Sequence, residues 1–334
     1  MASSRRLIIS CVIGSVSLVA LSVPSFALTR PSVYPTQAQI ANFLAVGTTL
    51  TSVPSGDILP GIGVPGTVDF MQPHPNWSDC SVTGPDIAIT PEIISQCTFG
   101  DRAAKVTVGL YGDSNAAMWA PAFDVYGATH HQRVIVLAHM GCTTWPRPWA
   151  PVKPTVNDAI SERECATWRV NVLSAFRRAK VSYVVPVSID TSRVRDFVRP
   201  SKLANSLTVG LLQIRHYGMR PILLEPVPRY TFKTDYLNCL TAHRSDISQC
   251  MLTTGDVKTN RLNQTFSSAA RMQSVPVIST TDLFCSPRRC PLFVSWEGRT
   301  IQLYRDGQHI TAAYAQLISA ALAPRLLTAI SHAH

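Results

Sequence analysis

A serine follows the first strong strand pattern of the chain, in the segment Gly112-Asp113-Ser114-Asn115. Residues 105–111 predict a β-strand, and residues 115–126 predict an α-helix. The serine therefore stands where a strand ends and a helix begins, and there the helix dipole and backbone N–H groups favour a developing oxyanion. Gly112 permits a turn that a side chain would obstruct. On its own, the segment is better explained by an ordinary turn in which the aspartate or the serine caps the helix.

A second polar segment, Asp306-Gly307-Gln308-His309, lies close to the end of the chain. The pattern places it at the start of a last amphipathic helix over residues 308–322, where an aspartate and a histidine can face the same way. A serine hydroxyl needs a base to take its proton, and an imidazole base needs a group to orient it. Alone, this segment is explained by a capping aspartate and a surface histidine. The chain order Ser, then Asp-x-x-His, is far more specific for serine chemistry.

Strands and helices alternate along the chain from about residue 105. The predicted strands are residues 105–111, 133–138, 181–187, 221–225 and 275–279, and the predicted helices are residues 115–126, 161–179, 202–217, 257–273 and 308–322. This alternation implies an α/β fold, a three-layer sandwich in which a mainly parallel sheet is flanked by helices. Ligands of such folds lie at the carboxyl ends of the strands, which is where Ser114 is predicted.

The composition narrows the class of protein. The 334-residue chain is 46% hydrophobic and 15% charged, with a formal net charge of +10. That hydrophobic fraction predicts a packed core and excludes wholesale disorder. The positive charge is spread along the chain, with no long run of Lys and Arg and no basic stretch interleaved with aromatic residues. Nucleic-acid binding is therefore not expected, and the charge favours an affinity for anionic cell-envelope material.

The N-terminal residues 1–27 predict a secretory signal peptide. Arg5 and Arg6 precede an apolar run over residues 7–23, and Ser25-Phe26-Ala27 places small residues at a cleavage site. The alternative is an uncleaved N-terminal helix that anchors the chain in a membrane. We expect a secreted or extracytoplasmic protein in the periplasm or cell envelope. After the signal we expect an extended leader over residues 28–100 that packs on the domain, the domain itself over residues 101–325, and a C-terminal tail over residues 326–334.

The cysteines agree with export. Cys11 belongs to the signal, and an even number remains: Cys80, Cys97, Cys142, Cys165, Cys239, Cys250, Cys285 and Cys290. An even count in an exported chain predicts disulfides. Sequential pairing is favoured because each such pair brackets a short loop: Cys80–Cys97, Cys142–Cys165, Cys239–Cys250 and Cys285–Cys290. No C-x-x-C segment occurs, so neither a metal site nor another cofactor is predicted.

The two polar segments and their surroundings resemble the SGNH (GDSL-like) serine esterases and acyltransferases. They are most similar to the extracytoplasmic SGNH domain attached to membrane acyltransferases that O-acetylate surface glycans, and the resemblance spans roughly residues 80–322. It rests on the segments Cys97-Thr-Phe-Gly-Asp101, Val108-Gly-Leu-Tyr-Gly-Asp-Ser-Asn-Ala-Ala-Met-Trp-Ala-Pro-Ala122, Gly141-Cys142, Cys165-Ala-Thr-Trp-Arg169, Glu225-Pro-Val-Pro-Arg229, Asp282-Leu-Phe-Cys285, Cys290-Pro291 and Leu303-Tyr-Arg-Asp-Gly-Gln-His-Ile-Thr-Ala-Ala-Tyr314. It implies the flavodoxin-like SGNH fold, and its cysteine spacing supports sequential pairing.

The resemblance assigns roles to residues of this chain. It implies that Ser114 is the nucleophile, that His309 is the general base and that Asp306 orients the imidazole. Gly141 matches the glycine whose backbone N–H joins that of Ser114 in the oxyanion hole.

Two positions depart from the family pattern. Asn115 stands where this subfamily usually has a histidine, and residues 184–190 contain no asparagine to supply the third oxyanion donor of SGNH esterases. The loss of one such donor raises a reaction barrier by about 3 kcal/mol. Asn115 is the candidate substitute for that donor.

These expectations define an exported serine enzyme that cleaves or transfers an acyl group on cell-surface glycans, and the expected acyl group is acetyl. Transfer to water makes it an esterase, and transfer to a sugar hydroxyl makes it an O-acetyltransferase. A transferase would need a separate membrane acyltransferase as its acetyl donor, and we expect a monomer. The alternative is a catalytically inactive envelope or glycan-binding protein that keeps the fold.

Other residues are weaker candidates. Trp145 and Trp149, with the prolines near them, are interpreted as a stiffened surface loop, and the alternative is a rim on which a sugar ring packs. His130 and His131 are interpreted as a solvated pair.

Two arginines and an aspartate complete the set of candidates. Arg169 and Arg229 predict surface or structural pairing, with an anionic substrate as the alternative. Asp113 is expected to hold the turn before Ser114.

Overall fold

The structure is a computed structural model that describes residues 34–52, 54, 80, 88–146, 162–188, 200–228, 230, 233–253 and 259–333. Residues 31–334 form one compact unit. The predicted signal peptide, residues 1–27, lies outside the described residues. Within the described ranges, no helix combines the length and the apolar character that a membrane span requires.

The described residues alternate between strands and helices in the predicted manner. The strands are β1 (Thr98–Gly100), β2 (Thr107–Gly112), β3 (Arg133–Ala138), β4 (Tyr183–Val187), β5 (Arg220–Pro221), β6 (Leu223–Leu224), β7 (Leu252–Thr253), β8 (Val277–Ile278), β9 (Arg289–Cys290), β10 (Phe293–Trp296) and β11 (Arg299–Gln302). The α-helices are α1 (Gln37–Gly47), α2 (Pro91–Gln96), α3 (Ser114–Thr129), α4 (Glu162–Arg178), α5 (Pro200–His216), α6 (Lys233–Ala242), α7 (Thr259–Met272), α8 (Ala312–Leu317) and α9 (Ser319–His332).

The central sheet has the strand order β1-β3-β2-β4-β5. Strands β3, β2, β4 and β5 are parallel, and β1 adds to the β3 edge in the antiparallel direction. The parallel pair of β6 and β8 follows β5 with one intervening residue, Ile222, whose amide bonds to the carbonyl of Val184 in β4. Strands β2 and β3 are buried almost throughout, as expected for parallel strands covered on both faces. The predicted α/β class with a mainly parallel sheet is confirmed.

Close packing between the sheet and its helices leaves no room for a side chain at one position of β2. A Cβ atom on Gly109 of β2 would lie 2.6 Å from the ring of Phe176 in α4. On the same face of the sheet, the Tyr111 ring contacts Trp168 and Phe176 at centroid distances of 5.6 and 6.1 Å. Helix α3 packs against β1, β2 and β3, and α8 and α9 pack on α3. The sheet therefore holds the end of β2, where Ser114 begins α3, in a fully packed frame.

The single final helix predicted over residues 308–322 is wrong. Residues 308–310 belong to a loop, α8 begins after the N-cap Thr311, and α9 follows at once. A helix does not start at Gln308 because Gly307 has a φ of 70°, outside the right-handed helical region, and is held there by its contacts with Tyr230 and Tyr236. Helix α9 then runs to His332, so the predicted boundary at residue 325 falls inside it.

The predicted strand over residues 221–225 is divided in the structure. Residues 220 and 221 pair with β4, whereas residues 223 and 224 pair with β8. The predicted leader over residues 28–100 includes α1, which buries Ile40 and Leu44 in the main core. It also includes β1, which is an edge strand of the central sheet.

Four disulfides join loops of the domain. They are Cys80–Cys97, Cys142–Cys165, Cys239–Cys250 and Cys285–Cys290. The Cys142–Cys165 bond ties the loop after β3 to the first turns of α4. It therefore fixes the segment that carries Gly141 beside the carboxyl end of the sheet.

Candidate active site

Ser114 is the first residue of α3 and follows β2 after a one-residue turn. Asp113 is the N-cap of the helix, and its Oδ1 accepts the Asn115 amide at 2.8 Å. The residue before it has no room for a side chain, because a Cβ atom on Gly112 would lie 1.6 Å from the carbonyl oxygen of Val187 in β4. The half-buried Ser114 therefore lies at the positive end of a 16-residue helix. Asp113 holds this turn, as expected.

Ser114 and His309 meet across 195 positions of sequence, with Nε2 of the imidazole 2.7 Å from the serine Oγ. The other ring nitrogen, Nδ1, lies 2.9 Å from Oδ2 of Asp306 and 3.0 Å from its Oδ1. The ring is 4% exposed, so little water competes for these hydrogen bonds. This arrangement allows the imidazole to take the hydroxyl proton at one nitrogen while the carboxylate orients the other.

A tight loop, not a helix, presents Asp306 and His309 together. Gly307 has a φ of 70°, in the left-handed region that favours glycine. Its carbonyl accepts the Tyr230 amide at 2.9 Å, and a Cβ atom at this position would lie 2.7 Å from the Cβ of Tyr236. The loop closes where the Arg305 amide bonds to the His309 carbonyl at 2.8 Å. The backbone hydrogen bonds of this loop therefore fix the positions of the Asp306 and His309 side chains.

The charge of Asp306 is stabilised by the same loop. Burial raises the pKa of this carboxyl group, but hydrogen bonds from the His309 ring and from the amides of Gln308 and His309 outweigh burial and lower its pKa to about 2. An ionised carboxylate beside Nδ1 keeps the Nδ1 proton in place. Nε2 is then the nitrogen that faces Ser114 as an acceptor.

Gly141 belongs to the loop that follows β3 and lies beside the Ser114 turn. The His139 amide bonds to the Gly112 carbonyl at 2.8 Å, and a turn then closes from the Cys142 amide to the His139 carbonyl at 3.0 Å. Gly141 is exposed, with a φ of 77° that favours glycine. The structure thus brings the two predicted oxyanion elements, the loop with Gly141 and the helix start at Ser114, to the same edge of the sheet.

Asn115 is the candidate third donor, but its side-chain amide is bonded to Asp113. Its Nδ2 donates to Asp113 Oδ1 at 2.8 Å, and the side chain is buried. The structure therefore gives Asn115 a partner in the turn itself.

Ser188 is a site residue that the sequence analysis missed. It directly follows β4, its Oγ accepts the amides of Asp113 at 3.3 Å and Thr144 at 3.1 Å, and it is 3% exposed. The Oγ also lies 3.5 Å from the Cys142 carbonyl, to which it donates. One hydroxyl thus connects the ends of three neighbouring strands. The sequence signal for Ser188 is its place at the carboxyl end of a central strand. The family pattern predicts an asparagine in residues 184–190 and gives no role to a serine there.

The weaker candidates have structural places. Trp145 is 3% exposed and packs on Phe266 at 5.2 Å in a core of its own with α5 and α7, so both the sugar rim and the surface loop are wrong for this residue. Arg169 is buried and donates to the carbonyls of Thr143 and Trp145 at 3.0 and 3.2 Å. It also pairs with Glu162, and structural pairing is therefore confirmed.

His130 and His131 lie exposed at the end of α3, as expected. Trp149 and Arg229 lie outside the described residues. Among the described residues, no group of three His, Cys, Asp or Glu side chains has the arrangement of a metal site.

Three comparisons relate this chain to known proteins. A family model for the SGNH domain that is fused to AT3 domains matches residues 79–324. The periplasmic domain of a lipopolysaccharide acetyltransferase from Salmonella ser. Paratyphi A is 14% identical, with a TM-score of 0.56 over 78% of this chain and 99% of that one. The comparison with curated proteins finds no match.

Two further solved structures are more distant. A GDSL-like lipase from Bacteroides thetaiotaomicron is 13% identical, with a TM-score of 0.38 over 67% of this chain and 88% of that one. A psychrotrophic esterase from Pseudoalteromonas sp. is 12% identical, with a TM-score of 0.37 over 67% and 96% of the two chains.

The fold is that of the α/β serine esterases and acyltransferases, with a serine, a histidine and an aspartate in hydrogen-bond contact at the carboxyl edge of the sheet. The match over residues 79–324 shows that the chain belongs to the SGNH domain family.

Proposed function

We propose that this protein is an exported serine enzyme that removes or transfers an acetyl group on cell-surface glycans. The observation that carries the proposal is the contact of 2.7 Å between Ser114 Oγ and His309 Nε2, with Asp306 on the far side of the ring. A chain that had kept only the fold for binding would have no need of this three-residue alignment. Membership of the SGNH family supports an enzyme that acts on acyl esters.

The first half-reaction forms an acyl-enzyme. The Ser114 Oγ attacks the carbonyl carbon of the ester, and its proton passes to Nε2 of His309. The electron pair of the carbonyl moves to its oxygen, which then faces the amide-rich start of α3 and the loop with Gly141. When the tetrahedral intermediate collapses, the C–O bond to the alcohol breaks and the alcohol takes the proton from His309. The acyl group remains on Ser114.

The second half-reaction returns the free serine. Water or a sugar hydroxyl gives its proton to His309 Nε2 as its oxygen attacks the acyl carbon. The bond between the carbonyl carbon and Ser114 Oγ then breaks, and Oγ takes the proton back. Asp306 stays ionised throughout and stabilises the imidazolium that forms in both halves. The steps use side chains of this chain alone, and we propose no cofactor.

The glycan substrate and the extracytoplasmic location rest on two kinds of support. The family model describes SGNH domains fused to AT3 domains, and the acetyltransferase domain from Salmonella is periplasmic and acts on lipopolysaccharide. Four disulfides in one domain are typical of an oxidising compartment outside the cytosol. For the transfer reaction, a membrane acyltransferase is the acetyl donor that we propose.

Turnover of p-nitrophenyl acetate tests the serine mechanism. We compare residues 31–334 of the wild type with the variant Ser114→Ala and with the matched control Ser319→Ala. Each serine is the first residue of a helix, and Ser114 is half-buried whereas Ser319 is buried. We expect Ser114→Ala to lower kcat at least about a thousandfold and Ser319→Ala to leave it unchanged. A fluorophosphonate probe should add to Ser114 in the wild type and in the control. Equal rates in all three proteins, with no labelling, would favour the glycan-binding alternative.

The same assay separates hydrolysis from transfer. An oligosaccharide is added as acceptor, and its acetylated product, detected by mass, should appear in proportion to the loss of free acetate if sugar hydroxyls intercept the acyl-enzyme. Release of acetate alone at every acceptor concentration would make the protein an esterase.

A further inference from the structure

The edge of the sheet opposite Ser114 is strongly cationic. The strands begin at this edge and the flanking helices end there, which the backbone bonds from Ser182 to Thr107 and from Arg220 to Ser182 define. Of the basic residues along it, six form the cluster that we call the basic edge: Lys105, Arg177, Lys180, Arg215, Arg220 and Arg271. Five of these are exposed, and Arg215 is half-buried.

Carboxylates do not neutralise the basic edge within the described ranges of the chain. None of its six cations forms an ion pair with a described carboxylate. Asp101, which follows β1 at this edge, lies 3.1 Å from His131 instead. The positive field of the edge is therefore directed to solvent.

A cleft of about 570 Å³ opens at the centre of the basic edge. Arg177, Lys180, Arg220 and His216 line it together with the hydroxyl groups of Ser182 and Tyr217, and its described walls carry no carboxylate. The Arg220 guanidinium packs against Tyr183. It donates a hydrogen bond of 3.3 Å to the phenol oxygen, and its Cζ lies 5.7 Å from the ring centroid. The cleft thus offers both charge and hydroxyl donors to an anionic group.

Helix dipoles explain only part of this charge. Arg177, Arg215 and Arg271 lie in the last turns of α4, α5 and α7, where cations stabilise the helix C-terminus. Lys105 and Lys180 belong to turns, however, and Arg220 opens β5. Lys180 directly follows α4, but Lys105 and Arg220 lie at no helix end, so the cluster exceeds what helix capping requires.

Exposed apolar side chains accompany the cations. Met272, which ends α7 next to Arg271, is 71% exposed, and Val106, next to Lys105, is 37% exposed. Apolar side chains among cations are typical of surfaces that bind the interface of an anionic bilayer, where the cations meet phosphate groups and the apolar chains enter the acyl boundary. A soluble polyanion would contact the cations but would not bury the exposed side chain of Met272.

We propose that the basic edge docks the protein on an anionic phospholipid bilayer. The docked domain directs its opposite edge, with Ser114 and His309, away from the lipid and toward glycans that project from the surface. The phosphate groups of the lipids occupy the cleft of Arg177, Lys180 and Arg220, and Met272, at the end of α7, enters the acyl boundary. This surface is independent of the serine chemistry, because none of these residues touches the candidate active site.

Sedimentation with vesicles tests the proposal. Residues 31–334 are mixed with phosphatidylcholine vesicles with and without phosphatidylglycerol, at low and at high salt. We expect binding that needs phosphatidylglycerol and weakens with salt. The triple variant Arg177→Gln/Lys180→Gln/Arg220→Gln should bind about a hundredfold more weakly, since each lost charge weakens binding about fivefold. Its hydrolysis of soluble p-nitrophenyl acetate should be unchanged, which also shows that it folds.

Matched controls separate the basic edge from net charge. Arg163→Gln/Arg244→Gln/Arg288→Gln removes the same charge from exposed positions outside the basic edge and should bind within about twofold of the wild type. Met272→Ser should weaken binding severalfold without changing its salt dependence, whereas Val46→Ser, at a 50% exposed position of α1, should not.

Three results would overturn the proposal. The first is binding that does not depend on phosphatidylglycerol. The second is an equal loss in the two triple variants. The third is binding to soluble polygalacturonate that matches vesicle binding and ignores Met272→Ser, which would assign the edge to a polyanion instead of a bilayer.

Discussion

The Oγ atom of Ser188 accepts the backbone amide of Asp113 at 3.3 Å, although 75 positions of sequence separate the two residues. The same oxygen accepts the Thr144 amide at 3.1 Å. The turn that presents Ser114 is therefore bonded to the loop that carries Gly141 through one buried hydroxyl at the end of β4. In this chain, a serine connects the two predicted parts of the oxyanion hole at a point where the family pattern leads one to expect an asparagine donor.

Ser188→Ala should lower kcat for p-nitrophenyl acetate about tenfold and change KM little. Two buried amides lose their acceptor, which costs about 1–3 kcal/mol of stability, and the Ser114 turn loses its connection to the Gly141 loop. Steady-state kinetics and urea unfolding measure the two effects.

Thr107→Val is the matched control for Ser188→Ala. The Thr107 Oγ1 is a buried hydroxyl of β2 that accepts Arg133 Nε at 2.9 Å, but it lies at the opposite end of that strand from Ser114. It should lower the free energy of unfolding by a similar amount and leave kcat unchanged. If both variants lose stability and neither loses kcat, Ser188 supports the fold and not the site.

The elements that sequence predicted well are those whose pattern is local. Residues 133–138 form an apolar run that becomes β3 with the same bounds, because a buried parallel strand needs only a continuous apolar segment. The end of the chain was predicted poorly. The apolar periodicity over residues 308–322 continues across a loop, and only the tertiary contacts of Gly307 with Tyr230 and Tyr236 decide against a helix there.

The candidate site shows the same division. Its Ser114, Asp306 and His309 are recognisable because their types and order are specific, and the structure places them in contact. Ser188 was missed because a lone serine after a strand carries no such specificity until its bonds to Asp113 and Thr144 are seen.

Gly307→Ala should destabilise the protein and lower kcat together. A Cβ atom at this position would lie 2.7 Å from Tyr236 Cβ and 3.0 Å from Tyr230 Cβ, so the loop must move and take Asp306 and His309 with it. Gly298→Ala is the matched control, because Gly298 has a similar φ of 75° but open space around its Cβ position. We expect the control substitution to lower the free energy of unfolding by about 1 kcal/mol through backbone strain and to leave kcat unchanged. Thermal melts and steady-state kinetics of both variants measure this difference, and equal kcat values would contradict it.

The charge of Asp306 should stabilise the protein at neutral pH but not in strong acid. Its pKa in the folded protein, about 2, lies below its ordinary value of 3.8, so the folded state favours the ionised form. This stabilisation is fully present above about pH 4, amounts to about 2 kcal/mol, and is lost as the pH falls through about 2. Urea unfolding of the wild type and Asp306→Asn should differ by that amount at neutral pH, and the difference should shrink toward zero in acid. A difference that is constant with pH would mean that the carboxylate contributes no charge-dependent stability.

Removal of the Cys142–Cys165 disulfide should lower both stability and kcat, because it joins the loop of Gly141 to α4. The bond closes a segment of 23 residues, and the double variant Cys142→Ala/Cys165→Ala should lose about 3 kcal/mol of stability. The freed loop no longer holds the Gly141 amide near Ser114, so kcat should fall about tenfold or more. Cys285→Ala/Cys290→Ala is the control: it opens a segment of five residues away from that loop and should cost about 2 kcal/mol with kcat unchanged. Chemical unfolding and p-nitrophenyl acetate kinetics measure both, and a larger kcat loss in the control would refute the assignment of Gly141 to the oxyanion hole.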